Sequence, residues 1–323
     1  MGKLLIVQIP CLNEEKTLPS VVAEIPRDVP GFDRVEVLII DDGSTDRTIE
    51  VAKECGVDHI VQVPTNRGLA NAFQTGVDAC LKLGADVIVN TDGDNQYPGE
   101  YIIPLVQPLI ERKADIVIGN RQPRQRGHYN SLKKILHLFG AWAVRKASNT
   151  DVQDPVSGFR AISREAALKL NIVTKFSYTT EMVIQAGRKG LKLMDIEMET
   201  NAATRQSRLF KSIPSFVGRS GSTILQTYAM FRPLKVFVIL GLTPVIIGMI
   251  PIVRFLYHYM MGDGEGRIQS LMLGSGMVSI GVVILVFGLL ADLLARQRVL
   301  LEQALERVRK IELAVDEMGK RDQ

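Results

Sequence analysis

The 323 residues predict an α/β protein with a mostly parallel sheet, followed by a helical hairpin that crosses a membrane. Three observations predict it. Short continuous apolar runs alternate with helix-spaced segments through roughly the first third of the chain, the pattern of a sheet covered on both faces. Acidic clusters follow two of those runs directly, Asp41–Asp42 and Asp92–Gly93–Asp94, at the strand ends where open α/β sheets bind ligands. Two apolar runs near the C-terminus hold about twenty residues each, enough to cross about 30 Å of hydrocarbon.

The elements follow in order. Residues 3–9 (KLLIVQI) form a buried first strand bounded by Pro10. Residues 15–25 carry helical spacing through Leu18, Val21, Val22 and Ile25. Residues 35–40 (VEVLII) are a second strand, and Ser44 is expected to cap a helix over 45–55 that begins with Thr45 and Asp46. A short strand is expected over 58–63, a helix over 68–83, and a strand over 86–91 that runs into Asp92. A helix over 99–112 and a strand over 115–118 complete the alternation.

Segments 129–148 and 207–231 are amphipathic and basic, which suits a membrane surface. The apolar runs 235–260 and 269–294 follow, with spans at about 235–258 and 269–291. Pro244, Pro251 and Arg254 interrupt the first, and the short Gly262–Arg267 loop joins the two into a hairpin. Arg232 and Lys235 precede the hairpin, and Arg296 and Arg298 follow it. The positive-inside rule then puts both chain ends in the cytosol. Residues 296–323 read as a charged helix with apolar spacing at Val299, Leu300, Leu305, Val308 and Leu313. That pattern suits either an oligomerisation coil, hence a homo-oligomer, or a solvated tail.

Composition excludes several classes. A formal charge of +4 gives no global case for nucleic-acid binding. Cys11, Cys55 and Cys80 follow no metal-ligand spacing and suit a reducing compartment. The opening LLIVQIP is too short for a secretory core, so the N-terminal part is expected to stay in the cytosol. His59, His128, His137 and His258 show no ligand pairing.

The chemistry begins with Asp92 and Asp94 at a strand end, with Gln96 two residues on. Hard oxygen ligands suit Mg²⁺ or Mn²⁺, ions that also take oxygens from substrate phosphates. A metal bridging a diphosphate stabilises the charge that grows on it as a leaving group.

The series PCLNEE (10–15), IIDDGSTD (39–46), NRGLANAFQTG (66–76), NTDGDNQYP (90–98), VIGNR (117–121), DPVSGFRA (154–161) and RQSRLF (205–210) resembles the family 2 glycosyltransferases. More closely, it is similar to the polyprenyl-phosphate hexosyltransferases, the dolichol-phosphate mannose synthase-like branch, some of which carry two C-terminal transmembrane helices. The resemblance implies a GT-A fold, a Rossmann-like and mostly parallel sheet, over a cytosolic domain of residues 1–206. Interfacial helices (207–232), two transmembrane helices (233–294) and a charged cytosolic helix (295–323) would follow. It implies a nucleotide-sugar donor, UDP- or GDP-linked, and a polyprenyl phosphate acceptor such as undecaprenyl or dolichyl phosphate. Pro10, Leu12 and Glu14 would line the nucleotide pocket, and Asp42, supported by Asp41, would hold the base or ribose. Asp92, Gly93, Asp94 and Gln96 would take the metal and diphosphate. Arg121 would contact a phosphate, Arg205 and Arg208 would close over the phosphates from a loop, and Glu181 sits where other members place a general base. Leu12 replaces the family's aromatic residue, and Arg208 stands where a lysine is common.

An anionic lipid phosphate can attack the anomeric carbon without strong deprotonation, so the need for a base is small. The family analogy implies direct displacement with inversion. Two rivals share the fold: transfer to another lipid acceptor, and a catalytically silent membrane scaffold. A processive synthase is disfavoured, because its Gln-X-X-Arg-Trp motif is absent and Trp142, the only tryptophan, lies in GAWAVR.

Overall fold

A computed structural model of the chain describes residues 2–121, 141–142, 144–146, 148–172, 178–201, 233–262 and 268–321. Segment 207–231, Arg205, Arg208, most of segment 129–148 and most of the Gly262–Arg267 loop lie outside the described residues.

Strand β1 (Leu4–Cys11) is buried along its whole length. Its nearly unbroken apolar run suits an interior place in the sheet, with a strand on each side. β2 (Arg34–Asp41) pairs parallel to it on one side, with Cys11 level with Asp41, and β4 (Val87–Asn90) pairs parallel on the other. β3 (His59–Gln62) extends the sheet beyond β2. Helices α1 (Leu18–Glu24), α2 (Thr48–Glu54) and α3 (Leu69–Leu83) make the crossovers. α3 turns Ala72, Phe73, Val77 and Cys80 inward. Each fully buried large side chain of this core contributes roughly 1.5–3 kcal/mol.

The expected helices over 15–25 and 45–55 begin later than their sequence spacing suggests. The Asn13–Thr17 turn comes first, with Thr17 and Leu18 amides both donating to the Glu14 carbonyl. Ser44 does not cap α2. Its hydroxyl accepts from the Asn13 amide, and the Asp46 carboxylate accepts from the Thr48 amide instead. Ser44 and Asp46 thus join the loop after β2 to the loop after β1, Ser44 through the Asn13 amide and Asp46 through that of Glu15.

The second half departs from simple alternation. After α4 (Ile102–Ile110) and β5 (Ile116–Asn120), the chain forms β6 (Arg160–Ser163), α5 (Arg164–Lys169), α6 (Tyr178–Arg188) and β7 (Leu193–Glu197). The strand order is β3-β2-β1-β4-β6-β5-β7. β6 alone is reversed, wedged antiparallel between β4 and β5. Reversal brings the start of β6, and the loop before it, to the ends of β4 and β5. Arg160 is level with Asn90, two residues before Asp92.

Residues Met1–Gly221 and Gln303–Gln323 make one unit, and Ser222–Glu302 make another. In the second, α7 (Pro233–Met260) and the start of α8 (Ile268–Arg321) are long and apolar enough to cross a membrane. They meet along glycines: a Cβ on Gly248 would lie 2.7 Å from the Gly274 carbonyl, and one on Gly281 2.6 Å from that of Gly241. The sevenfold spacing keeps both glycine rows on the shared seam, so the backbones touch, as membrane helices do where van der Waals contact must replace the hydrophobic effect.

The end of α8 is neither wholly solvated nor wholly packed. One face carries the buried Leu313 and Arg309, which donates to the Leu170 carbonyl of the same unit. The other leaves Leu301, Val308, Ile311, Val315 and Met318 more than half exposed.

Candidate active site

The site forms where β1, β2, β4 and β5 end and β6 begins. Pro10 and Cys11 lie level with Ile40 and Asp41, so the PCLNEE and DDGST segments leave the sheet side by side. Pro10 and Glu14 are buried and Leu12 is half-buried. Carboxylates converge here: burial, then Glu14, Asp41, Asp46 and Asp92 in turn, push the Cys11 thiol well above its usual range. That thiol is packing, not a nucleophile.

Asp41 and Asp42 both have backbone work. Asp41 accepts from the Ser44 amide, at 3.2 Å and 3.3 Å. Asp42 accepts from the Arg67 and Gly68 amides at 2.9 Å and 2.8 Å, which holds the NRG turn at the head of α3. Glu14 is tied to the Asp92–Asp94 loop: the Thr17 hydroxyl lies 3.0 Å from Glu14 Oε2 and 2.7 Å from the Gly93 carbonyl.

Asp92 and Asp94 leave β4 on a loop closed by the Gln96 amide donating to Asp94 Oδ1 at 3.2 Å. Asn201 anchors the same loop, its amide on the Gln96 carbonyl and its side chain on that of Asn95. Both carboxylates are half-buried at the rim. Among the described residues no group of three or more His, Cys, Asp or Glu could hold an ion. Two carboxylates with an amide oxygen nearby fit an ion that completes its shell with phosphate and water.

Residues beyond those expected shape Asp92. A Cβ on Gly158 would lie 3.0 Å from both Asp92 carboxylate oxygens and 3.1 Å from the Tyr178 hydroxyl. Gly158 is therefore needed for close approach. Its carbonyl accepts from Asn90 Nδ2 at 2.9 Å, and its amide donates to the Tyr97 hydroxyl at 3.2 Å. Asn90 also donates to the Tyr178 hydroxyl, and Gln8 donates to Asn90. Burial, and then the Asp92 charge, hold the Tyr178 hydroxyl well above its ordinary value.

Arg121 directly follows β5 and is gripped by Asp154, Nε to Oδ2 at 2.7 Å and Nη2 to Oδ1 at 3.0 Å. Asp154 is wholly buried. A paired fork of this kind fixes the guanidinium plane. Tyr97 shows how closely the parts gather: after burial, its hydroxyl responds to Arg121, Asp92 and Asp154 together. Glu181 lies one turn beyond Tyr178, buried, and accepts from Gln185 Nε2 at 3.1 Å. The structure thus brings together Pro10, Leu12, Glu14, Asp41, Asp42, Asp92, Gly93, Asp94, Gln96 and Arg121 at one rim, with Glu181 in α6, one turn beyond Tyr178. Asp154, Tyr97, Asn90 and Tyr178 join them. Asp154 stood in the DPVSGFRA motif, but its pairing with Arg121 depends on the reversal of β6.

The loop carrying Asp154 has a second tether. Asp195 Oδ2 accepts from the Gln153 amide at 2.6 Å, while no described residue donates to its buried Oδ1. Burial pushes the carboxyl up to about 6, aided by the charge of Asp154. The folded protein therefore holds this proton where the unfolded chain, near 3.9, has lost it. This contribution to stability is full below about 4 and is lost as pH rises through about 6. Asp195→Asn should flatten the fall in melting temperature between those pH values and raise stability at pH 7.5. A wild-type pH profile in the variant would reject this account.

Comparison with known proteins agrees with this geometry. The family model for glycosyl transferase family 2 matches residues 6–170, half of the chain. A dolichyl-phosphate hexose transferase of Haloferax volcanii is 30% identical over 197 residues, covering 61% of this chain and 82% of that protein. The UDP-N-acetylglucosamine–dolichyl-phosphate N-acetylglucosaminyltransferase of Methanococcus voltae is 26% identical over 219 residues, covering 61% and 86%. Among solved structures, glucosyl-3-phosphoglycerate synthase from Mycobacterium tuberculosis, in complex with Mn²⁺, UDP-glucose and phosphoglyceric acid, superposes with a TM-score of 0.55 at 23% identity, covering 71% of this chain and 79% of that one. The sheet with its reversed strand is the GT-A fold, and the chain belongs to glycosyl transferase family 2, a glycosyltransferase.

Proposed function

We propose that this glycosyltransferase moves a hexose from a UDP- or GDP-sugar to a polyprenyl phosphate at the cytosolic face of a membrane. The observation that carries the reading is the meeting of two anion-handling devices on the Asp154–Gly158 loop: the Asp92–Asp94 loop, close against Gly158, and Arg121, braced by Asp154. A donor diphosphate and an acceptor phosphate both need one. Relatives named for dolichyl-phosphate transfer and two helices fit to cross a membrane support the same acceptor class.

Asp92 and Asp94, with Gln96, would hold Mg²⁺ or Mn²⁺, which would offset charge on the departing diphosphate. Pro10, Leu12, Glu14, Asp41 and Asp42 would frame the nucleotide. The acceptor phosphate oxygen forms the new bond to the anomeric carbon as the bond to the diphosphate breaks. The electron pair leaves with the nucleotide, and attack from the opposite face inverts the centre. Arg121 would orient a phosphate oxygen against the repulsion of the other. Arg205 and Arg208 would close the site; Asn201, four residues before Arg205 in the chain, is fixed on the metal loop. An ionised acceptor needs no base, which accords with Glu181 being buried and hydrogen-bonded.

The decisive experiment reconstitutes the full chain in vesicles with polyprenyl phosphate and screens labelled nucleotide sugars. Labelled lipid from one donor, dependent on polyprenyl phosphate, is the expected result. Label on a different lipid would replace the acceptor, and no transfer from any donor would favour a silent scaffold. The exposed stripe on α8 adds self-association to the reading. Leu301, Ala304, Val308, Ile311, Val315 and Met318 fall at the a and d positions of a heptad. Cysteine at 308 should cross-link two copies; a monomer by mass in nanodiscs would refute it.

A further inference from the structure

We propose that Arg309 is a positioning residue for sugar transfer, through which the helix after the second apolar span sets the placement of α6. The proposal rests on the site described above. Arg309 is largely shielded, and its fork makes two contacts: Nη1 donates to the Leu170 carbonyl at 2.7 Å, and Nη2 lies 3.0 Å from Asp78 Oδ1. Asp78, on α3, also accepts from Gln74 Nε2 at 3.1 Å, and Gln74 Oε1 accepts from the Ile172 amide at 2.8 Å. Between these, Asn171 is held by Gln185, amide to Oε1 at 3.1 Å and carbonyl to Nε2 at 2.6 Å. The same Nε2 donates to Glu181.

Three consecutive residues, Leu170, Asn171 and Ile172, are thus each fixed by a side chain from a different helix, α8, α6 and α3. This is the chain that leads into α6, whose first residue, Tyr178, touches Asn90 and faces Asp92 across Gly158. A generic packing helix would be held by apolar burial. Here Leu313 is the only buried hydrophobic residue among the described part of Gln303–Arg321. The Lys82–Glu312 bridge is half exposed, of a kind worth roughly 0–1 kcal/mol. Placement therefore falls to the Arg309 fork, which satisfies a carbonyl and a carboxylate at once. A lysine can keep the charge but not both directions.

The test uses the full chain in nanodiscs with whichever donor and acceptor the vesicle screen identifies. Arg309→Ala should lower kcat about tenfold while donor KM stays within twofold, and Arg309→Lys should recover part of the loss. Amide exchange at Asn171, Ile172 and the first turn of α6 should accelerate in Arg309→Ala, with β1 and β2 unchanged. This measurement needs no turnover, so it stands even if the acceptor assignment fails, which would show instead as an inactive wild type in the vesicle screen. Unchanged exchange in those segments would overturn the proposal. So would a loss of rate that merely follows the melting temperature and that lysine does not relieve.

Discussion

Replacing Asp92 by asparagine should lower the rate of sugar transfer by about a thousandfold, some 4 kcal/mol of transition-state stabilisation, with the fold intact. The side chain keeps its shape, so the contact with Gly158 survives; only the charge that a metal would need is lost. Asp94→Asn should be milder and partly restored by excess Mn²⁺, since the Gln96 amide can still donate to the amide oxygen. Gly158→Ala supplies an independent arm. Its methyl would meet both Asp92 oxygens at 3.0 Å, tighter than ordinary contact, so the carboxylate must move. The variant should need several times more metal for half-maximal rate, a shift that titration at fixed donor would read. Full activity in Asp92→Asn at all metal concentrations would remove this loop from the chemistry.

Much of this half of the site is legible in the sequence because it depends on short-range pattern. β1, β2 and β4 are continuous apolar runs, and the acids that follow them must emerge at one edge once the strands run parallel. The other half is not, because it depends on pairings across long separations. β6 is four residues, RAIS, too short for periodicity to distinguish from a loop. Its direction follows only from seeing it between β4 and β5. That reversal turns Asp154 into the partner of Arg121, 33 positions away, and Gly158 into the neighbour of Asp92. Asp42 teaches a related lesson. Its position at a strand end suggests a ligand-binding acid, and its two oxygens also accept from the Arg67 and Gly68 amides. No spacing rule reveals that, because the donors belong to the next crossover. Ser44 leaves its expected capping role for the same reason: the partners of Ser44 and Asp46, the Asn13 and Glu15 amides, come from the β1 loop.

The largest stability effect is expected at Arg160, a fully buried cation in β6. Its fork donates to three backbone carbonyls: Nε to Ser157 at 2.8 Å, Nη2 to Pro155 at 2.7 Å and Nη1 to Thr179 at 2.8 Å. The Tyr178 ring lies 6.0 Å from the guanidinium carbon. Burial pushes its pKa down to about 10, so the group remains charged at neutral pH, but in a setting that disfavours charge. A buried cation with no carboxylate paired to it among the described residues is costly, and it is retained here by what it joins. Pro155 and Ser157 belong to the loop that carries Asp154 and leads to Gly158; Thr179 lies in the first turn of α6. Both flank Asp92.

Arg160→Met keeps most of the volume and removes every donor. Three buried carbonyls then lose their partners, each at about 1–3 kcal/mol, and part of that is recovered because no charge is buried. A net loss of roughly 3–5 kcal/mol follows, among the larger effects of single substitutions. Arg160→Lys should rescue little, since one ammonium cannot span three carbonyls set to match a planar fork. Activity should fall further than stability. Measured well below the melting midpoint, where the variant is still folded, transfer should drop about a hundredfold, because the loop and α6 lose their common anchor and Asp92 its walls. The loss should appear in kcat together with weaker metal binding, and bound nucleotide should restore it only in part. An Arg160→Met enzyme with wild-type melting and wild-type rate would show that the three carbonyls find other donors, and that the walls of the metal loop are set from elsewhere.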